Sequence, residues 1–188
     1  MSLIELAALV GAALLVVATI VIYNTLIRKR QRAEESWSNV DTELQRRYDL
    51  IPNLIRTVQG YMEHERSLLE EIVTLREHAE GARSTAASHE RIRMEQQLSD
   101  ALSRLSMRFE QYPQLQASTH FRALQGELAN TEDRVQAALR FYNGNVRELN
   151  VSVQAFPSSL VARMFGFSQR AYFELRSLAA RDVPDVRF

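Results

Sequence analysis

The 188-residue sequence contains no cysteine. Thiolate metal sites, disulfides and thiol catalysis are thereby excluded, although the compartment is not fixed. Glycine (6) and proline (4) are scarce, so the composition points to long helices. Lysine is nearly missing, with Lys29 the one example among 23 basic residues. Those 23 are balanced by 23 Asp and Glu. With zero net charge there is no global field to attract nucleic acid and no acidic excess to signal disorder. Base-stacking platforms are also missing. No Walker loop, GxGxxG or GxSxG is found. Neither strand alternation nor a repeat of 20–50 residues is present.

Metal chemistry has little support. A di-iron bundle needs Glu-x-x-His pairs. Three residues before His64, His78, His89 and His120 stand Tyr61, Leu75, Ala86 and Ala117. HExxH is absent as well, because Arg66, Ser67 and Leu68 follow His64-Glu65. Zinc held by scattered histidines is the residual metal reading. No constellation singles out a nucleophile. No enzyme activity, cofactor or metal is therefore expected.

What the sequence does have is an uncharged run from Leu6 to Ile27, between Glu5 and Arg28. As helix it measures roughly 33 Å, enough to cross a bilayer. Arg28, Lys29, Arg30 and Arg32 follow at once, and no basic residue precedes it. The positive-inside rule then places the C-terminal side in the cytoplasm of a bacterial inner membrane. The basic cluster also suits anionic headgroups. A cleaved signal peptide competes, but needs its charges before the run and a small-residue cleavage site after it. Tyr23 fits the headgroup level. The expected division is a short external N-terminus (1–5), a transmembrane helix (6–27), a helical bundle (28–181) and a tail (182–188).

Beyond the anchor, apolar residues recur at 3-4 spacing. The stripe is Trp37, Val40, Leu44, Arg47, Ile51, Leu54, Val58, Tyr61, Glu65, Leu68, Ile72 and Leu75. Only Arg47 and Glu65 break it, as expected for one helix face packed on partners or forming a coiled coil. Its phase passes through Pro52, favouring one long kinked helix over a reversal there. The rival reading has Asp49 cap a new helix with Pro52 in its first turn. Gly60 would allow close approach of a neighbouring helix. Gly81 marks the expected end of this helix. A second helix carries Leu98, Leu102, Leu105, Phe109 and Tyr112 on one face, and Pro113 breaks or bends it. A third, from about Thr119 to Ala155, has the stripe Leu124, Leu128, Thr131, Val135, Ala138, Tyr142, Asn145, Leu149, Ser152 and Phe156. Pro157 stops it, and Ser158 or Ser159 would cap a short fourth helix. Residues 45–82, 84–117 and 119–155 would each span roughly 50–55 Å, which suits an antiparallel bundle joined by short connections. The expected fold class is all-α: an antiparallel four-helix bundle preceded by a single transmembrane helix.

Several stretches are distinctive in combination. They are AEESWSNVDTELQRRYDLIPNLIRTVQGYMEHE (33–65), LSDALSRL (98–105), Tyr112-Pro113, FRALQGELANTEDRV (121–135), RFYNGNVRELN (140–150), FPSSLVARMFGF (156–167), AYFE (171–174) and PDVRF (184–188). In this order, across nearly the whole chain, they resemble the LemA family; residues 76–97 match poorly. The resemblance implies a single N-terminal transmembrane helix and a cytoplasmic antiparallel helical bundle. Some relatives are implicated in magnetosome membrane formation, and others are encoded beside membrane metalloproteases. No enzymatic reaction is attached to the family.

Candidate interaction positions are polar residues on or beside the stripes: Arg47, Asp49, Asn53, Glu65, Gln125, Glu127, Thr131 and Asn145. In an antiparallel arrangement Glu65 would lie near Arg104 and Arg134, and Asn53 near Gln125 and Glu127. These groups either set helix register or form a polar groove for a partner or ligand. A candidate docking set comprises Phe165, Phe167, Phe173, Val186 and Phe188. Its aromatic cluster would cap the bundle or form a docking or membrane-surface patch, and its end has the form of an added-strand ligand. The expected function is a membrane-anchored, non-catalytic scaffold or adaptor that contacts the lipid bilayer, membrane proteins or copies of itself. The alternative is an accessory subunit of a membrane protease complex, with a metal-dependent bundle enzyme third.

Overall fold

A computed structural model describes residues 2–82 and 88–173, with no side-chain account of His89. Among the described residues the fold is all helical, without strands. The helices are α1 (Leu3–Val58), α2 (Arg66–Gly81), α3 (His89–Arg108), α4 (Pro113–Ala117), α5 (Thr119–Gln154) and α6 (Ser158–Met164). The expected tail, including Val186 and Phe188, lies outside the described residues.

Helix α1 opens on a capping box: the Ser2 hydroxyl accepts from the Glu5 amide at 3.3 Å, and the Glu5 carboxylate accepts from the Ser2 amide at 2.8 Å. The apolar run and the first long helix were expected as separate helices, yet both belong to α1. The apolar part is long enough to cross a membrane, and its most apolar 18-residue window is 0% buried.

Pro52 lies inside α1, as the unbroken stripe phase implies. It lacks the N–H that would bond the carbonyl four residues earlier, that of Tyr48. Arg76, on α2, fills this vacancy: its Nε–H donates to the Tyr48 carbonyl at 2.8 Å. Asp49 caps nothing there and instead accepts from Gln45 at 2.7 Å along the helix surface.

The expectation that this helix continues to Gly81 fails. Helix α1 ends at Val58, whose carbonyl accepts from both Tyr61 and Met62. A 3₁₀ turn at Glu63–Glu65 then leads into α2. Gly60 has open space where a Cβ would stand, so none of the described helices packs against it there. Met62 plugs the turn, fully buried, while Tyr61 is exposed. Gly81 does end a helix, but that helix is α2.

Helix α3 is shorter than the expected 84–117. Ser88 caps its start, accepting from the Arg91 amide at 3.2 Å. It gives way to a 3₁₀ turn at Phe109–Gln111, and Pro113 opens α4 where its missing N–H costs little. The rings of Phe109 and Phe121 meet edge to face at 4.8 Å across this connection. At α6 neither serine caps as expected; Ser158 Oγ donates to the carbonyls of Ser152 and Ala155.

The described residues divide into two compact units. Unit 1 draws on Met1–Ser36 and Phe141–Tyr172, and unit 2 on Trp37–Arg140 and Phe173–Phe188. In unit 1, Leu26, Val161 and Ala162 form a small core, with Ile22, Tyr23, Val153 and Phe167 packed on it. Asn150 is buried and clamps the Arg170 backbone twice, donating to its carbonyl and accepting from its amide at 2.9 Å each. Lys29 reaches Ser152 at 2.8 Å. In unit 2, Leu44, Ile51, Leu54, Ile72, Leu98 and Leu105 are among the buried apolar residues, and α2 packs on α3. Arg104 meets Glu71 at 2.6 Å, and Arg108 lies 3.8 Å from Glu65.

Candidate functional site: a buried ionic network in unit 2

One stripe position that ought to be apolar, Arg47, is fully buried. Both of its Nη groups are engaged by neighbours, while its buried Nε has no hydrogen-bond partner among the described residues. One Nη donates to Ser99 at 2.8 Å and to Glu132 at 3.1 Å; the other donates to Glu95. The same Glu95 carboxylate accepts from the Tyr48 hydroxyl, and Arg91 Nε lies 4.0 Å away, one helical turn earlier. Arg91 in turn bonds Asp41 and stacks over Trp37, 4.9 Å from the ring centroid. Two guanidinium groups thus meet three carboxylates contributed by α1, α3 and α5.

Arg47, Arg91 and Glu95 are each 0% exposed, whereas Asp41 and Glu132 reach solvent. Burial alone would lower the Arg47 pKa. Glu95, Glu132 and Tyr48 outweigh it and leave the value raised. Burial, reinforced by Glu95, pushes the Tyr48 phenol far above its ordinary value, against the opposing pull of Arg47 and Arg91. Tyr48 therefore stays a neutral donor. The arrangement can hold charge in place and fix which helix faces which. Its central carboxylate is fully engaged by this chain's own donors and offers no face to a substrate.

At its rim the network reaches a groove of about 420 Å³. Ser99 and Glu132 line it together with Ser103, Ser106, Gln125 and Leu128. Of the sequence-derived candidates, Arg47 and Gln125 therefore belong to this neighbourhood. Asp49, Asn53 and Glu127 are exposed on helix surfaces. Asn53 bonds Arg56 one turn away and not Gln125 or Glu127. Glu65 pairs with Arg108, while Arg104 takes Glu71 and Arg134 is exposed. Thr131 is buried but returns its hydroxyl to the Glu127 carbonyl at 2.8 Å. Asn145 is half-buried in unit 1, where the buried polar residues among those described are Ser36 and Asn150. Phe165 is half exposed, Phe167 joins the unit 1 core, and Phe173 is buried against Trp37 in unit 2 at 5.5 Å. The aromatic cluster is thus split between the two units.

Sequence reasoning missed Glu95, Arg91, Tyr48, Asp41, Ser99 and Glu132. A signal for two of them existed. Stepping back along the α3 stripe from Leu98 at 3-4 spacing reaches Glu95 and then Arg91. Among the described residues no group of three or more His, Asp or Glu converges as a metal site.

These features define an all-α protein with one long apolar N-terminal helical stretch and a buried ionic network. A family model described as the LemA family matches residues 36–188, and the chain belongs to that family. It is 24% identical over 160 residues to protein LemA of Metamycoplasma hominis, covering 85% of this chain and 72% of the relative. It is 24% identical over 189 residues to magnetosome protein MamQ 2 of Paramagnetospirillum magneticum, covering 87% and 68%. Against magnetosome protein MamQ of Magnetospirillum gryphiswaldense the identity is 22% over 187 residues, with the same coverages.

Proposed function

We propose that the chain is a membrane-anchored, non-catalytic scaffold or adaptor, working through protein–protein contacts at the cytoplasmic membrane. The observation that carries this reading is α1 itself. Its exposed apolar stretch is followed, in the same helix, by the residues that enter the ionic network. The helix that would hold the lipid also supplies Asp41, Arg47 and Tyr48. Helices α1, α2, α3 and α5 would form an antiparallel four-helix bundle. The pairs Glu71–Arg104 and Glu65–Arg108 run in opposite chain directions along α2 with its preceding turn and along α3, which supports that arrangement. The basic residues at 28–32 support an external N-terminus and a cytoplasmic bundle. Magnetosome proteins among the relatives agree with work at a membrane.

Cross-linking in native membranes, followed by identification of the captured proteins, tests the adaptor role. Reproducible capture of membrane proteins or of a second copy supports it. A membrane protease as the dominant capture favours the accessory-subunit reading. Stoichiometric iron, zinc or manganese in the purified protein overturns the non-catalytic reading. For topology, Ser2→Cys should label from outside intact cells and Met107→Cys should not. The reverse pattern refutes the cytoplasmic assignment.

A further inference from the structure

Along α6 and the residues that flank it, large apolar side chains of unit 1 stand exposed among the described residues. Phe156, Leu160 and Met164 recur at four-residue spacing and are 82%, 60% and 67% exposed, and Phe165 is 50% exposed. The opposite side is packed: Val161 and Ala162 lie in the core with Leu26. A surface with large apolar groups on one side and a core on the other marks an interaction site. Its position indicates which. Phe165 and Phe167 hold Tyr23 between them at 4.8 and 5.7 Å, and Ile22 joins the same core. Tyr23 belongs to the uncharged run from Leu6 to Ile27. The exposed face is therefore continuous with the end of the apolar run.

A local device fixes this geometry. Gly166 adopts φ +72°, in the left-handed region. The Phe167 amide donates to the Ala162 carbonyl at 2.9 Å, and the Gly166 amide to the Arg163 carbonyl at 3.4 Å. This is a Schellman closure, and it folds Phe167 back onto α6. Arg30 stacks on the Phe167 ring at 5.6 Å, so a cation stands at the same level.

We infer that α6 lies in the membrane interface, with Phe156, Leu160, Met164 and Phe165 inserted at the boundary between headgroups and acyl chains. The occupant of the face is lipid. The chain would then hold the bilayer at two points, the spanning run and a shallow lateral wedge. This inference rests on the anchored reading above.

The test uses full-length protein in phosphatidylcholine–phosphatidylglycerol vesicles. The chain has no native cysteine, so an environment-sensitive fluorophore can be placed singly at Leu160→Cys, Met164→Cys, Val16→Cys or Met107→Cys. Lipids carrying a nitroxide at a shallow or a deep acyl position serve as quenchers. Labels at 160 and 164 should emit to the blue and lose most of their emission to the shallow nitroxide. The label at 16 should respond to the deep one, and that at 107 to neither. Silence at 160 and 164 with quenching at 16 overturns the wedge and leaves the anchor standing. Silence at 16 overturns the anchor, and the wedge is then decided by 160 and 164 alone. A blue-shifted label that lipid nitroxides do not quench means that another copy covers the face, which also overturns the proposal.

Discussion

In unit 2 the interior holds charge: Arg47, Arg91 and Glu95 are fully buried, and their attractions tie three helices at one level. In unit 1 the core is small and apolar, its buried polar side chains bond backbone (Ser36 the Ala33 carbonyl, Asn150 the Arg170 amide and carbonyl), and large apolar side chains point outward. The difference follows from what each unit has to specify. Helices of similar apolar faces can pair in several registers, and a buried ion pair that must find its counter-ions excludes most of them. Unit 1 has little such problem to solve. Its exposed apolar residues need a nonaqueous neighbour, and the apolar run of α1 is continuous with them.

Removing Glu95 breaks the contrast most severely. Glu95→Ala leaves Arg47 and Arg91 buried with fewer counter-charges, a loss of about 3–5 kcal/mol for a fully buried partner. Urea unfolding of the full chain in detergent, followed by circular dichroism, measures it. A loss below 1 kcal/mol would mean that the network adds little to unit 2. Next comes Arg76→Met, which strips the donor from the Tyr48 carbonyl that Pro52 leaves unbonded. About 2 kcal/mol is expected for a hydrogen bond from a charged group. In a Pro52→Ala background the penalty should shrink, because the alanine N–H can serve that carbonyl. Equal penalties in both backgrounds would show that Arg76 acts elsewhere.

The third effect is one of pH. The folded-state pKa of Tyr48 is raised, so its stabilising contribution is complete below the ordinary phenol value near 10 and declines as pH rises above it. Stability should fall by about 1.4 kcal/mol by pH 11 from this group. Tyr48→Phe should flatten that decline; an unchanged slope would assign it to other groups. Burial raises Tyr142 in unit 1 as well, against the pull of Arg170, so a residual slope is expected. The smallest effect belongs to unit 1. Gly166→Ala forces a Cβ into left-handed backbone at about 1 kcal/mol. It should loosen Phe167 from Tyr23, read as greater exchange of the Phe167 amide. No change in that exchange would separate the aromatic contact from the Schellman closure.

How far the sequence carried depended on whether periodicity could see the feature. The helical phase through Pro52 is physical continuity, and α1 does run through it. The same phase crosses the turn at Gln59–Glu65 by coincidence of spacing, so the stripe hid a reversal. Tyr61 keeps the register but is exposed, and Met62, one residue off it, fills the core. Arg47 was legible because a cation on an apolar stripe is conspicuous. Its partner Glu95 lay on a charged stretch where it looked like ordinary surface. Asn150 sits one residue beyond Leu149 and off the stripe, and its role depends on the backbone of Arg170 twenty positions later. No local pattern reports such a contact.

If the charges of unit 2 are architecture and not a binding site, replacing them with apolar groups leaves partner capture intact. The triple substitution Arg47→Met, Tyr48→Phe and Glu95→Leu replaces the buried core of the network with apolar groups of similar size, leaving Arg91 with Asp41. Captured proteins and unfolding free energy should be compared with the unmodified chain in the same native membranes and the same detergent. The set of captured proteins should be unchanged and the stability within about 1–2 kcal/mol of the original. A variant that is just as stable but has lost its captured partners would contradict the architectural role.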